Sequence, residues 1–206
     1  MLILRSVADP SRLLVVATAH FKAKPDFAAV RTQQLQYMMD IAHGAASALA
    51  AALPASSVHT IAMGDFNGHP AESPSLYSAA LQHPAAMLSA YAVAGGAPTT
   101  PVQTVEAVQA SAAAEPPFTT FKFRGEPGTS GKAKQLTIDY VMYTPQQVQA
   151  DASSTDTAPP CDLLLQQVLV LPSAESIGAA ALPSCSIPSD HLPVAVKFLF
   201  QQAQKQ

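Results

Sequence analysis

The sequence predicts a mixed α/β domain, richer in strand than in helix, with sheets layered against helices. Three observations predict it. Short β-prone runs recur along the chain, one long stretch carries apolar residues at helical spacing, and 49% of the 206 residues are hydrophobic, enough to bury a core of ordinary single-domain size. No internal repeat is visible, so a solenoid or propeller is not expected.

Leu2 to Arg5 and Leu13 to Ala19 are β-prone runs separated by the turn-forming cluster Ala8-Asp9-Pro10-Ser11, which predicts an antiparallel hairpin. A first strand beginning at residue 2 lacks neighbours to cover it, so further sequence upstream is expected. Asp26 is expected to cap a helix running toward Ala52, with Phe27, Val30, Leu35, Met38, Ile41, Ala45 and Leu49 on its buried face. Val58 to Met63 reads as a buried strand, and Ser73-Pro74 as the cap and first turn of a short helix through Leu81.

Residues 92–117 are rich in Ala, Gly, Pro and Thr, and they read as a flexible surface insertion, although the alanines also suit a helix. Thr119 to Phe123 and Leu136 to Tyr143 are predicted strands of a hairpin joined by a Gly-rich, lysine-bearing loop. A polar linker at residues 150–160 precedes a buried strand at Leu163 to Leu171. Val194 to Phe200 closes the domain, taken as residues 1–200, and 201–206 is a frayed tail.

A formal net charge of −3 excludes a generally basic coat that would hold nucleic acid through bulk charge. Any polyanion must be met locally. Seven of the 11 basic residues fall in two stretches, Lys22, Lys24 and Arg31, then Lys122, Arg124, Lys132 and Lys134. Cys161 and Cys185 have no metal-ligand spacing and are too few for a disulfide framework, which predicts free thiols in a reducing, cytoplasmic setting. The N-terminal apolar run is too short for a signal peptide, and no stretch has the length of a membrane span.

Four groups of residues could carry chemistry. Asp65 follows a buried strand and precedes Asn67 in a turn flanked by Gly64 and Gly68. A carboxylate there can bind a hard cation or take a proton from water, and an amide two residues on can donate to an oxyanion; an ordinary Asx turn has the same pattern. Asp190 and His191 sit together before the last strand, where the aspartate could join an oxygen-rich Mg2+ site and the imidazole could hold or protonate a phosphate oxygen. Asp139 stands among apolar strand residues, where a charge needs a partner. His191 is the economical one, with backbone amides as the alternative. His20 ends a strand and could contact a phosphate or leaving group, whereas His43, His59, His69 and His83 read as structural.

The order of these motifs resembles the endonuclease/exonuclease/phosphatase superfamily, and within it the CCR4/nocturnin/Angel group of deadenylase-type enzymes. The resemblance is carried by Ala17-Thr18-Ala19-His20 with Lys22, by Gly64-Asp65-Phe66-Asn67-Gly68-His69-Pro70 with Ser75 and Tyr77, and by Phe118-Thr119-Thr120-Phe121-Lys122-Phe123-Arg124. Thr137-Ile138-Asp139-Tyr140-Val141 and Pro188-Ser189-Asp190-His191-Leu192-Pro193-Val194 complete it. It implies a DNase I-like four-layer α/β/β/α sandwich, here the C-terminal part of the domain, because the family's N-terminal portion and its metal-binding glutamate have no counterpart. Mg2+, with Mn2+ as an alternative, is the implied cofactor. The implied activity is Mg2+-dependent 3′-to-5′ exoribonuclease action on RNA with a poly(A) 3′ end, with a phosphatase acting on a nucleotide or NADP(H), a DNA endonuclease, or a catalytically inactive binding module as alternatives. The same resemblance gives catalytic roles to His20, Asp65, Asn67, Asp139 and His191, and metal binding to Asp65 and Asp190. It makes Lys22, Arg31 and Arg124 phosphate contacts and Phe118 or Phe121 shapers of a nucleotide pocket.

Overall fold

The computed structural model describes residues 1–54, 56–71, 74–102, 104–124, 132–145 and 161–202. The expected cap Ser73, the linker at 150–160 and the end of the tail lie outside the described residues. Two strands, β1 (Leu2–Arg5) and β2 (Arg12–His20), lead through a 3-10 turn at Pro25–Phe27 into α1 (Ala28–Ala52) and then β3 (Ser57–Asp65). Next come α2 (Pro74–Leu81), β4 (Leu88–Ser89), α3 (Ala90–Ala94) and α4 (Val105–Ala114). The chain continues through β5 (Thr120–Arg124), β6 (Lys132–Leu136), β7 (Asp139–Tyr143), β8 (Cys161–Val168), α5 (Ala174–Ile177) and β9 (Val196–Gln202). Five strands form one sheet in the order β1-β2-β3-β7-β4, while β5-β6 and β8-β9 are two-stranded ribbons. The expected hairpin of β1 and β2 is present, and β2 and β3 run parallel with α1 as the crossover.

Strand alternation sorts the core into layers. Leu13, Val15 and Ala17 of β2 and Val58 of β3 pack with Ala42, Ala46 and Ala50 of α1 on one face of the sheet. On the other face His59 meets the Phe200 ring edge-on at 5.7 Å, Tyr143 packs on Phe198 at 4.8 Å, and Arg12 lies over Phe200. The β8-β9 ribbon therefore covers the face opposite α1, and β3 is buried between them. This double cover explains why β3 is buried continuously from Ser57 to Ala62 instead of alternating between buried and exposed positions.

The buried stripe of α1 departs from the expected one. Arg31, Leu35, Met39, Ala42, Ala46 and Ala50 face inward, whereas Val30 and Ile41 are 39% and 42% exposed. Small side chains let the helix approach the sheet closely, so the alanines take the contact that larger apolar residues were expected to make. Asp26 does not cap this helix, because it lies in the preceding 3-10 turn and Phe27 occupies the cap position.

Two further expectations change. The predicted strand from Leu136 to Tyr143 is two strands belonging to different sheets. Thr119 N–H bonds to Leu136 O while Phe66 N–H bonds to Ile138 O, so the chain leaves β5 at Leu136 and joins β3 at Asp139. Asp139 consequently opens a strand instead of interrupting one. Within 92–117 the alanine-rich run is helical: Thr104 caps α4 by accepting from Ala107 N–H, and Ala107, Val108 and Ala112 pack on the main core. Cys185 is an exposed free thiol, and the Cys161 side chain lies outside the described ones.

Glu115, immediately after α4, turns its carboxyl group into this core. It accepts a 2.7 Å hydrogen bond from Tyr77 Oη, and burial pushes its pKa up to about 7. A carboxyl raised in this way stays protonated in the folded state while the unfolded chain ionises. Stability therefore falls as pH rises from the ordinary glutamate value of 4.5 to about 7 and is flat beyond it. Glu115→Gln is expected to remove that slope, and chemical denaturation of both proteins at a series of pH values measures it.

Candidate active site

The site is assembled by strand register. β2 and β3 end side by side with His20 paired to Asp65, and β7 starts alongside with Asp139 paired to Asp65. Three chemistry-bearing residues thus stand in a row along one edge of a single sheet. The fourth arrives from the loop before β9, where His191 is bridged to Thr120 and Leu192 N–H bonds to Thr119 O at 2.7 Å.

Gly64 makes the row possible. It has φ +139°, and a Cβ placed there would lie 2.0 Å from Ala19 O of the neighbouring strand. Beyond it Asp65 Oδ1 accepts the Asn67 N–H at 2.8 Å, closing a turn in which Asn67 adopts φ +50°, a conformation asparagine tolerates well. The Asn67 side chain donates to Phe21 O at 3.0 Å and ties the β3 loop to the β2 loop. Tyr140 Oη donates to Gly68 O at 2.7 Å and fixes the far end of the same loop.

Asp139 Oδ2 lies 2.9 Å from His191 Nδ1 and accepts a 2.6 Å bond from Thr119 Oγ1, so the expected aspartate–histidine pair is formed. His191 Nε2 points back toward Asp65, 3.9 Å from Oδ2, and His20 Nε2 is 3.5 Å from the same oxygen. Among the described residues, Asp65, Asp139 and His191 are the group whose ligand atoms all lie within 4.8 Å of one another. Burial, with the facing charge of Asp139, raises the Asp65 pKa despite the bond from Asn67. A carboxylate held in that state is stabilised by a cation, and the two carboxylates with the His191 imidazole form a donor set that could hold a divalent ion.

Asp190, expected to share in metal binding, lies one residue before His191. Its carboxylate is bound by Lys122 Nζ at 2.7 Å, which holds its pKa down, and the carboxylate beside Asp65 is Asp139. Lys122, which the sequence places in a basic stretch without a site role of its own, also lies 3.3 Å from His191 Nε2. The available signal was alternation: Thr120 and Lys122 share one face of β5, turned toward the loop of His191. Thr119 was missed for a different reason, because nothing in its local sequence shows that its hydroxyl reaches Asp139.

The substrate-contact residues separate into three kinds. A cleft of about 250 Å³ beside Asn67 is lined by Lys24, Arg31, Lys122 and Lys134, giving a local positive surface on a net acidic chain. Arg31 is itself buried and donates to the carbonyls of Lys22 and Lys24, so it shapes the wall of that cleft. Lys22 instead sits over the Phe27 ring at 5.0 Å. Phe118 and Phe121 are core residues, packed with Leu182 and Leu192, whereas Phe123 is the aromatic of β5 that presents surface. The Arg124 side chain lies outside the described ones. His59 is satisfied in the core by Ser57 and Thr144, as a structural histidine should be.

No family model matches the chain. It is 27% identical over 198 residues to human nocturnin and 27% identical over 194 residues to nocturnin of Xenopus laevis, in each case across 94% of this chain. The chain spans 35% and 39% of the lengths of those relatives. Its structure aligns with the human nocturnin catalytic domain, solved with a bound sulfate anion, at a TM-score of 0.53 and 20% identity, covering 97% of this chain and 51% of that one. The DNase I-like fold is thereby shown, and the resemblance to the CCR4/nocturnin group is borne out.

Gly64→Ala is expected to separate the ends of β2 and β3, lowering stability by about 2 kcal/mol or more and moving Asp65 out of register. Denaturant unfolding reports the first effect. Chemical-shift changes at His20 and Asn67 report the second.

Proposed function

We propose that this chain carries the reacting centre of a divalent-metal-dependent phosphodiester hydrolase of the deadenylase type, removing nucleotides from the 3′ end of poly(A) RNA. The observation that carries the reading is the convergence of Asp65, Asp139 and His191 beside a lysine-lined cleft, in a chain similar to nocturnin.

The residues divide the work of an in-line displacement at phosphorus. Asp65, desolvated and oriented by Asn67 N–H, accepts the proton of the attacking water. His191, held by Asp139 through Nδ1, takes a proton on Nε2 when substrate is bound and donates Nε2–H to the non-bridging phosphate oxygens, stabilising the charge that develops there. His20, 72% exposed and at the mouth of the row, contacts the scissile phosphate or the leaving oxygen. Lys122 keeps Asp190 and His191 in place, while Lys24 and Lys134 draw in the neighbouring phosphate. Asp65, with Asp190 at the edge of the site, would hold a divalent ion such as Mg2+ or Mn2+, which when bound would supply charge neutralisation and Lewis acidity.

A second reading is favoured by the cleft itself. The concave surface lined by Lys24, Lys122 and Lys134, with Lys122 paired to Asp190, suits a phosphate group, as in a phosphomonoester of a nucleotide such as NADP(H). Both readings use the same centre and differ in which phosphate is placed against Asp65.

Incubation with 3′-poly(A) RNA, duplex DNA and NADP(H), each with Mg2+ and with a chelator, separates the possibilities. Stepwise shortening of RNA that requires Mg2+ is the expected result, and release of inorganic phosphate from NADP(H) alone supports the second reading. Binding of all three without turnover would instead mark a binding module. Asp65→Ala and His191→Ala are each expected to lower kcat by about a hundredfold or more while RNA binding changes little.

A further inference from the structure

We infer that Thr119 is a positioning residue that fixes the proton polarity of the Asp139–His191 pair, and this rests on the hydrolase reading only for its effect on rate. The Thr119 side chain is fully buried, and its Oγ1 makes three hydrogen bonds, the full capacity of a hydroxyl. Two of them come from backbone N–H groups, Ile138 at 3.0 Å and Asp139 at 3.1 Å, which can only donate. Both lone pairs of Oγ1 are therefore occupied, and its hydrogen has one direction left, toward Asp139 Oδ2 at 2.6 Å.

A donor that cannot turn round sets the direction of each later hydrogen bond in the series. Asp139 Oδ2 must accept, so that oxygen has no hydrogen of its own to offer its neighbours. The carboxylate in turn requires a hydrogen on His191 Nδ1, 2.9 Å away. The lone pair of a neutral His191 then lies on Nε2, the nitrogen that faces Asp65 Oδ2 and Lys122 Nζ. Lys122 can only donate, so its 3.3 Å approach to Nε2 agrees with that tautomer. Polarity is thus set at two main-chain amides and passed through Thr119, Asp139 and His191 to the atom that meets substrate.

The main chain of Thr119 holds the same parts together. Its N–H bonds to Leu136 O and its carbonyl accepts from Leu192 N–H, next to His191. The hydroxyl and the backbone of one residue therefore set both members of the pair, the first by direction and the second by distance.

Histidine-selective 15N labelling of the whole chain tests this. Long-range 1H–15N correlations report the tautomer of each imidazole, and His191 is assigned by the signals lost in His191→Gln. The wild-type protein and Thr119→Ser are expected to show one Nδ1–H tautomer at His191. Thr119→Val, which removes the hydroxyl, is expected to show a mixture. Because Thr119→Val leaves two buried amides unpaired and can fail to fold, Thr119→Cys, with a weak donor of similar size, gives the deciding spectrum in that case. A folded Val or Cys variant that keeps the wild-type Nδ1–H pattern overturns the inference.

In turnover, the Cys variant is expected to lose about tenfold in kcat with KM within about twofold, and to add nothing in an Asp139→Asn background. Rescue by serine separates this from a general packing defect. Absence of hydrolysis by the wild-type protein contradicts the proposed function alone and leaves the tautomer result standing.

Discussion

Two aspartates face each other across adjacent strands, and the rest of the site depends on that pairing. The β3–β7 register sets Asp65 directly opposite Asp139, an arrangement that like charges make unfavourable in a sheet. Each is relieved in its own way. Asp139 is surrounded by donors, Thr119 on one side and His191 on the other. Asp65 is less well served, with Asn67 N–H on one oxygen and two imidazoles at 3.5 and 3.9 Å from the other. Its raised pKa is the signature of that shortfall. The sheet thus holds one satisfied carboxylate that orients an imidazole and one unsatisfied carboxylate available for chemistry.

Most of the architecture exists to maintain this register. Gly64 lets β2 and β3 meet closely enough for His20 to align with Asp65, and α1 packs on both strands through alanines. The β8-β9 ribbon covers the opposite face and delivers the His191 loop, which β5 anchors through Thr119 and Thr120. Lys122 completes the arrangement by binding Asp190 and touching His191. Positive charge is concentrated beside the row of site residues, so an acidic chain can still meet a phosphate locally.

Much of this was legible in the sequence because it is written in short range. Strand-end motifs such as Gly64-Asp65-Phe66-Asn67 and Ser189-Asp190-His191 depend on a few adjacent residues, and the pairing of Asp139 with His191 came from the cost of a charge among apolar neighbours. What could not be read was long range. The split between β6 and β7 depends on a change of sheet at Thr137, and hydrophobic periodicity is the same for one strand or two in line. Arg31 looked like a surface cation but closes the β2–α1 connection, and Phe118 and Phe121 looked like pocket walls but fill a core. Lys122 and Thr119 gained their roles only from partners about 70 and 20 residues away in sequence.

Asp65 is a half-buried carboxylate lacking a full counter-charge, and this cost to the fold is what makes it useful. Denaturant unfolding of wild type and Asp65→Asn, each in chelator and in Mg2+, measures it most directly. The account predicts that Asp65→Asn is the more stable protein in chelator, because the facing charges are removed, and that Mg2+ stabilises the wild type but not the variant. A variant less stable than wild type in chelator, with Mg2+ acting equally on both, would contradict it.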